Sequence, residues 1–443
     1  MIYTKYGVMN LLSGENKLEI ILVLLFQIGF GIKFNFIGTI SLSEILIVLY
    51  FATHYFHDSI RQEPELRHLE RCYFALILVQ ILMEFLSRNT FDNAIKGIAI
   101  TFVSLCHLYF LLKILYKNIN LVIWALIGYF LKQFFFEKLV TGKIVDALAG
   151  NNAAYMKFVV ATGLIYLALI VVIQISQKKG ALLFVFLGVF LIISGARSSG
   201  VMCVLTGIIS LAITNGIKIN MRSLVKPICI ISVLGYMLYC VYVSQVLSGG
   251  ISAGNNEQIK KVENPYNPMY LLMAGRAEVF VGWIAFTDNP ITGWGSWKKD
   301  SDLGNKYHKI QSTLGGEIIE RKDYNEDNLG SDLIPCHSVI IGYACNNGIF
   351  ALVLIVMILF SCLKYGIRAW SSNKEYRLVL VYLTIYLCWH VLFSPQTHFR
   401  QTLPLSMAFM LVCYWNMKEE EEENEEENVE LDNELLIEKK HYE

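Results

Sequence analysis

Arginine and histidine residues lie beside long apolar runs at four places in the sequence, where they could act on a phosphate-bearing substrate. Arg197 falls in the turn SGARSSG, Arg276 opens the segment GRAEVFVGWIAF, and His337 precedes VIIGYACNNG. His398 and Arg400 occur together in SPQTHFRQTLP. Guanidinium groups hold phosphate oxygens bidentately. Imidazole titrates near neutrality and can accept a proton from a hydroxyl. These residue types suit a transfer that displaces a phosphate-linked group.

Taken singly, each residue also has a structural interpretation. An arginine at the end of an apolar span is often a snorkelling anchor, and a histidine at a helix start is often a cap or a hydrogen-bonded core residue. Arg276 has an acidic neighbour in Glu278, with which it could pair. The functional interpretation therefore depends on whether the elements that carry these residues bring them to one face.

The composition predicts that those elements are membrane-spanning helices. Of the 443 residues, 55% are hydrophobic and only 17% are charged, and the mean hydropathy is +0.48. These values exclude an ordinary soluble domain, and several apolar runs approach the roughly 20 residues that cross a bilayer as a helix. We predict an all-α polytopic membrane protein with about twelve spans: 18–32, 39–56, 72–87, 93–113, 119–137, 153–175, 180–195, 199–214, 224–247, 337–363, 377–394 and 402–417.

The distribution of Lys and Arg predicts the orientation. One set of loops is richer in basic residues, which places that set and both termini in the cytosol. Arg197, the long loop 248–336 and the segment around His398 then face outward. Lys138 and Lys143 fall on the outward side, against this tendency.

The chain divides into four predicted regions: nine N-terminal spans (1–247), an extracytoplasmic loop (248–336), three C-terminal spans (337–417) and an acidic cytoplasmic tail (418–443). Within the loop, a helix is predicted to stop at Asp-Asn-Pro, residues 288–290. The glutamate-rich tail is predicted to be solvated and mostly disordered. The ten cysteines form no metal or disulfide pattern, and we predict no metal and no cofactor.

Three motifs resemble those of the O-antigen ligases and O-antigen polymerases. SGARSSGVMCVLTGIISL resembles the arginine-bearing turn between two mid-chain spans of that family. GRAEVFVGWIAFTDNPITGWG is similar to its outward-loop segment, and PCHSVIIGYACNNGIFALVLIV to its His-headed span. Order and spacing agree over residues 180–365, and the likeness is weak in the first 170 residues. The family often has Asn after the histidine, where this chain has Ser338.

The resemblance implies a metal-independent, GT-C-like membrane glycosyltransferase in the bacterial inner membrane, active on its extracytoplasmic face. Its donor would be an oligosaccharide on undecaprenyl pyrophosphate, and no nucleic acid would be involved. Arg197 and Arg276 would bind the pyrophosphate and stabilise it as it leaves, with Arg400 as a further phosphate ligand. His337 would be the base, and the auxiliary residues would be His398, Ser338 and Glu278.

Three functions stay open. A polymerase would move the growing glycan onto the next lipid-linked repeat unit, and we favour it by analogy with the sequence-diverse polymerases. A ligase would move the finished glycan to lipid A–core or another acceptor. A flippase of lipid-linked sugars would carry ionisable residues within its spans. The candidates Lys132, Glu84 and His107 lie near span ends or at an undetermined depth, and the long one-sided loop fits an enzyme better. A chain-length regulator and a separate flippase are the expected protein partners of the enzyme.

Overall fold

Most of the described chain is helical, as the apolar runs predict. The computed structural model describes residues 17–35, 38–57, 59–137, 160–217, 225–249, 259, 264–270, 276–300, 302–304, 333–334 and 336–442. Lys138, Lys143 and most of the loop after residue 304 lie outside the described residues. The helices, in chain order, are α1 Lys17–Gly29, α2 Leu42–His54, α3 Pro64–Leu86, α4 Phe91–Lys117, α5 Leu121–Lys132, α6 Ala161–Val172, α7 Gln177–Ile193, α8 Arg197–Thr214, α9 Val225–Leu247, α10 Ala277–Asp288, α11 Val339–Ala369, α12 Arg377–Phe393, α13 Thr397–Gln401 and α14 Leu403–Tyr442.

The surface of the helical bundle indicates a membrane protein. Among the described residues, three helices are long and apolar enough to cross a bilayer: α4, α8 and α11. Large apolar side chains also point outward, including Phe85 (79% exposed), Phe186 (71%) and Ile193 (76%). Water would penalise such a surface, whereas lipid tails would not. Each of the twelve predicted spans overlaps a helix, but a twelve-span topology stays a prediction.

Helix α4 and the first part of α14 form the centre of the bundle. Residues 402–415 are all buried, as are residues 103–112 of α4. Tyr73 and Tyr343 pack on Phe399, with ring centroids 5.7 Å away in both cases. This apolar core fixes α3, α11 and α13 against one another.

Two helices form a tight hairpin because glycines allow their backbones to touch. Gly195 ends α7 with φ 91°, and the Ala196 N–H donates to Leu191 O at 2.9 Å, which is a glycine C-cap. A Cβ on Gly200 would lie 2.5 Å from the Gly188 carbonyl oxygen. The SGARSSG turn therefore joins α7 to α8 and places Arg197 at the first position of α8.

Two expectations need correction. The all-α prediction omits a short antiparallel hairpin, Lys33–Asn35 with Thr39–Ser41, and α2 begins only at Leu42. The reason is a capping box, in which Ser41 Oγ accepts from the Glu44 N–H at 3.2 Å and Glu44 Oε2 accepts from the Ser41 N–H at 2.7 Å. That box starts the helix after the strand.

The prediction of a mostly disordered tail is wrong, because α14 continues to Tyr442. Residues 403–415 of α14 already form a buried helix, so each further residue needs only propagation and not a new nucleus. Glutamate also has a high helix propensity. Residues 419–426 are exposed, in agreement with the predicted solvation.

Candidate functional site

The predicted outward connections meet at one end of the bundle. Asn89, after α3, donates to Ser296 O at 2.8 Å, and the Gly295 N–H donates to Asn346 O at 2.9 Å. Asn346 Nδ2 donates to Gln396 Oε1 at 3.0 Å. Through these contacts the turn after α3, the turn after α10, the start of α11 and the segment before α13 meet. We call this the site end.

The opposite end gathers connections predicted to be cytosolic. Lys418 of α14 pairs with Glu65 at 3.3 Å, Lys117 pairs with Glu19, and Gln177 Nε2 donates to Glu375 O at 3.1 Å. The two sets of predicted loops are thus sorted to two ends.

Four charged or titratable side chains form what we call the His–Arg cluster at the site end: Arg276, His337, His390 and His398. The His390 and His398 rings are stacked, with centroids 5.1 Å apart and planes 17° apart. His337 is close enough to His398 for its charge to act on it, and Arg276 acts in the same way on His390. Lys132, only 6% exposed, adds a further positive charge beside His398.

Separate elements position the members of the cluster. Arg276 is the half-buried N-cap residue of α10. His337 is exposed directly before α11. Helix α10 packs on α11 through Val281, Ala285 and Cys345. The cluster therefore depends on how α10, α11, α12 and α13 dock together.

His390 and His398, both half-buried, are each oriented by a hydroxyl group. His390 Nδ1 lies 2.6 Å from Ser394 Oγ, and His398 Nδ1 lies 3.1 Å from Thr402 Oγ1. Each bond uses Nδ1, so Nε2 is the ring nitrogen left for other partners. Burial, and then the charges of Lys132 and His337, lower the pKa of His398 from 6.5 to about 4. The His398 imidazole is therefore neutral at pH 7.

Two of the predicted auxiliary residues, Ser338 and Glu278, lie at the starts of α11 and α10. Ser338 is fully buried. Its Oγ accepts from the Ile341 N–H at 3.2 Å and donates to Val391 O at 3.1 Å. It is thus the N-cap of α11 and a link to α12. Glu278 lies in the first turn of α10, half-buried and two residues from Arg276.

Arg197 lies at the same end of the bundle, beside α9. Its Cζ is 5.3 Å from the centre of the Tyr242 ring, which is cation–π geometry. Arg377, at the start of α12, donates to Thr214 Oγ1 at the end of α8, at 3.4 Å. The start of α12 therefore lies beside the end of α8, and the two packed helices run antiparallel. As a result, the start of α8 and the end of α12 both lie at the site end. Arg197 is thus on the side of His390, although the described contacts tie it to α9.

Arg400 is engaged within the protein. Its Nε lies 3.1 Å from Oε1 of Glu44, a fully buried carboxylate, and its Nη2 donates to Thr39 O at 3.0 Å. The Arg400 carbonyl lies 3.0 Å from His107 Nδ1. The guanidinium thus holds the hairpin and α2 against α13.

A buried carboxylate anchors the loop that follows α10. Glu84, 2% exposed, accepts from the Ser296 N–H at 3.0 and 3.1 Å, from Asn89 Nδ2 at 2.6 Å and from Asn347 Nδ2 at 3.2 Å. Glu84 therefore joins the end of α3 to the loop and to α11.

The same loop docks on a break in α11. Gly348 has φ 74° inside the helix, and a Cβ there would collide with the Ile291 carbonyl. The Ile349 N–H donates to Pro290 O at 2.8 Å, and the Trp294 N–H donates to Cys345 O at 2.9 Å. This docking, together with Glu84, sets the position of α10 and so of Arg276.

Sequence reasoning missed His390 and the roles of Lys132 and Glu84. His390 lies inside an apolar run, and only the fold brings it to His398. From the sequence, Lys132 and Glu84 are only candidate intramembrane charges of a flippase. Among the described residues, no group of three or more His, Cys, Asp or Glu side chains is arranged to hold a metal ion, so the three histidines are a stacked pair with a neighbour.

No protein-family model matches the chain, and no curated protein sequence matches it. The interpretation of function therefore depends on the residues and contacts described above.

Proposed function

We propose that this protein is a membrane-embedded glycosyltransferase that takes a glycan from a lipid-linked pyrophosphate donor, such as undecaprenyl pyrophosphate, at the outer face of the bacterial inner membrane. The observation that carries this proposal is the His–Arg cluster, in which Arg276, His337 and His398 converge from separate elements at one end of an apolar helical bundle. The head group of a lipid-linked pyrophosphate lies at the membrane surface, where the proposed orientation puts this end of the bundle.

Each cluster residue has a proposed role in the transfer. Arg276 binds the pyrophosphate with Arg197 and stabilises the charge that develops on it as the sugar–phosphate bond breaks. His337, which is exposed, accepts the proton of the attacking sugar hydroxyl. The products are a longer glycan and the free lipid pyrophosphate.

The proposed site differs from the residue set that the sequence suggested. Arg400 already contacts Glu44 and Thr39, so we assign it to holding the hairpin at the site end. Because the His398 pKa is about 4, we assign this residue a neutral hydrogen-bonding role. His390 and Lys132 join the proposed site through their positions beside His398 and Arg276.

Among the glycosyltransferases, we propose a polymerase that extends a lipid-linked repeat unit of a capsule or O-antigen, and a ligase is the alternative. A flippase is the alternative of another class. The buried ionisable residues Lys132, Glu84 and His107 favour the flippase. Glu84, however, bonds to a docked loop and to the turn after α3, and such contacts suit a fixed scaffold more than a carrier that rocks between two states.

Deletion of the gene in its host, followed by gel analysis of the surface glycans, separates the three functions. A single repeat unit on the final acceptor without a ladder supports the polymerase. A bare acceptor with accumulated lipid-linked polymer supports the ligase. Repeat units that accumulate on the cytosolic side support the flippase and contradict the proposal. Complementation should succeed with wild type and with Arg71→Ala, an exposed control on α3, and fail with His337→Ala.

A further inference from the structure

The segment that leads into His337 is held against the rest of the site end. The Ile334 N–H donates to Lys298 O at 3.1 Å, and Leu333 forms an antiparallel bridge with Lys299. This pairing ties the residues before His337 to the loop that docks on α11. Cys336 lies between this pairing and His337.

Two thiols meet beside this segment. Cys336 and Cys345 are both free cysteines, and both belong to the apolar cluster built by Val281, Ala285 and Leu303. The two side chains pack in the same cluster and interact with each other. Cys336 is half-buried and Cys345 is fully buried, so Cys336 is the thiol that a reagent would meet first.

We propose that Cys336 and Cys345 form a disulfide bond, which fixes the residue before His337 to helix α11. The inference rests on the outward orientation in the proposed function, because disulfides persist in oxidising compartments outside the cytosol. The oxidant is a protein disulfide of that compartment. Cys336 sulfur attacks it to give a mixed disulfide, and Cys345 sulfur then displaces the oxidant's thiol. Two thiol hydrogens and two electrons leave this chain, and the oxidant becomes a dithiol.

The disulfide and the Ser338 cap together would hold the proposed base, His337, from both sides. Ser338 already caps α11 and bonds to Val391, and a disulfide at Cys336 would fix the preceding residue. His337 would then sit on a short backbone segment anchored at both flanking residues. Such support keeps a catalytic group in its productive geometry.

The state of the two thiols can be read from one peptide of the full-length protein. Membranes are quenched with N-ethylmaleimide under denaturing conditions, and the protein is then reduced and labelled with iodoacetamide. Trypsin cleavage after Lys322 and Lys364 releases residues 323–364, which contain Cys336, Cys345 and Cys362. Cys362 lies 17 residues beyond Cys345 in the same helix and is the internal control.

We expect Cys336 and Cys345 to carry the second label in most molecules, while Cys362 carries the first. In Cys336→Ser, Cys345 should change to the first label, which shows that the two are partners. First label on all three cysteines of the wild-type protein would overturn the inference.

A second measurement separates failure of the disulfide from failure of the proposed function. In Cys345→Ala, a membrane-impermeant maleimide is applied to intact spheroplasts. Labelling of Cys336 from outside, combined with a reduced wild-type protein, would reject the disulfide and leave the proposed function standing. Labelling only after permeabilisation would contradict the outward orientation and so reject both.

Discussion

At the scale of single residues, the site end combines one exposed histidine, a stacked histidine pair and several cations. The charge of Arg276 interacts electrostatically with His390, and the charges of His337 and Lys132 interact with His398. The cations favour an anionic ligand, while the low pKa of His398 leaves that imidazole neutral. His337 is the exposed member of the cluster, and for this reason we propose it as the base.

Replacement of Arg276 should slow transfer more than it weakens the fold. We expect Arg276→Ala to lower kcat/KM about 100-fold, because one preorganised charge on the leaving group is lost. Arg276→Lys should recover only part of this, since Lys keeps the charge but not the bidentate fork. The measurement is turnover of purified protein on a lipid-linked repeat unit.

The matched control is Arg71→Ala, which removes an exposed arginine from α3. It lies 13 residues before Glu84 on that helix, about 20 Å along the axis at 1.5 Å per residue. Equal losses of kcat/KM in Arg276→Ala and Arg71→Ala would show that the loss reflects the overall positive charge of the protein and not a specific site at Arg276.

The lowered pKa of the half-buried His398 predicts that stability depends on pH. Its pKa falls from 6.5 to about 4 on folding, so between these values the unfolded chain binds a proton that the folded chain does not. The free energy of unfolding should therefore decrease as the pH falls from 6.5 toward 4 and should not change through this residue above 6.5. Thermal unfolding midpoints in detergent at pH 7.5 and pH 5 measure the effect.

His398→Asn is the comparison, because asparagine keeps a polar side chain without titrating. The variant should show a smaller loss of thermal midpoint between the two pH values than wild type. The same loss in both proteins would mean that the His398 imidazole does not titrate as its burial requires.

At the scale of elements, two close backbone contacts position the site. The α7–α8 hairpin brings Arg197 to the site end through the Gly188–Gly200 contact. The docked loop brings α10 to the break in α11 through Glu84 and Gly348. Either contact can be weakened without changing a proposed reactive group.

Gly200→Ala tests the hairpin. The added Cβ would meet the Gly188 carbonyl oxygen at 2.5 Å, so α7 and α8 must separate, at a cost of about 1–3 kcal/mol. Gly235→Ala is the matched control, since a Cβ there has no atom within 4 Å. We expect a lower thermal midpoint only for Gly200→Ala. Equal midpoints in the two variants would show that the helices do not touch at this point.

Glu84→Gln tests the anchor of the loop. A glutamine amide brings donors toward the Ser296 N–H and Asn347 Nδ2, so at least one buried donor loses its acceptor, at about 1–3 kcal/mol. Limited proteolysis should cut the 289–300 segment faster in this variant. The exposed Glu421→Gln should behave as wild type, and an unchanged cleavage rate in Glu84→Gln would rule out the anchoring role.

At the scale of the whole molecule, much of the architecture follows from the sequence. Apolar runs of 15 residues or more predicted where helices lie, and Asp-Asn-Pro correctly predicted the end of α10 at Asp288. Apolarity alone predicts a span from residue 39, whereas the capping-box residues Ser41 and Glu44 start α2 at Leu42.

The candidate site was less predictable, because its contacts are long-range. Arg276 and His337 stand at element boundaries, where local signals single them out. His390 resembles any polar residue in a span until α13 folds back to stack His398 on it. The pairing of Arg400 with Glu44 joins residues that are 356 positions apart, which no local pattern reveals.

The acidic end of α14 should be separable from the fold at a defined residue. Trp415 Nε1 donates to Glu65 Oε2 at 3.2 Å, and Lys418 pairs with the same carboxylate. Truncation after Lys418 should keep the thermal midpoint and glycan ladder of wild type. Truncation after Tyr414 should lower the midpoint, because buried Glu65 loses both partners. Altered glycan lengths after truncation at Lys418 would instead assign the tail a role in chain-length control.

The most direct test of the central claim is turnover by the purified protein in liposomes that contain only a lipid-pyrophosphate-linked repeat unit. We predict that wild type releases the free lipid pyrophosphate and forms longer lipid-linked glycans, and that His337→Ala, with an unchanged thermal midpoint, does neither. Product formation by His337→Ala at the wild-type rate would contradict the proposed base. Movement of the substrate across the bilayer without a new glycosidic bond would contradict the glycosyltransferase itself.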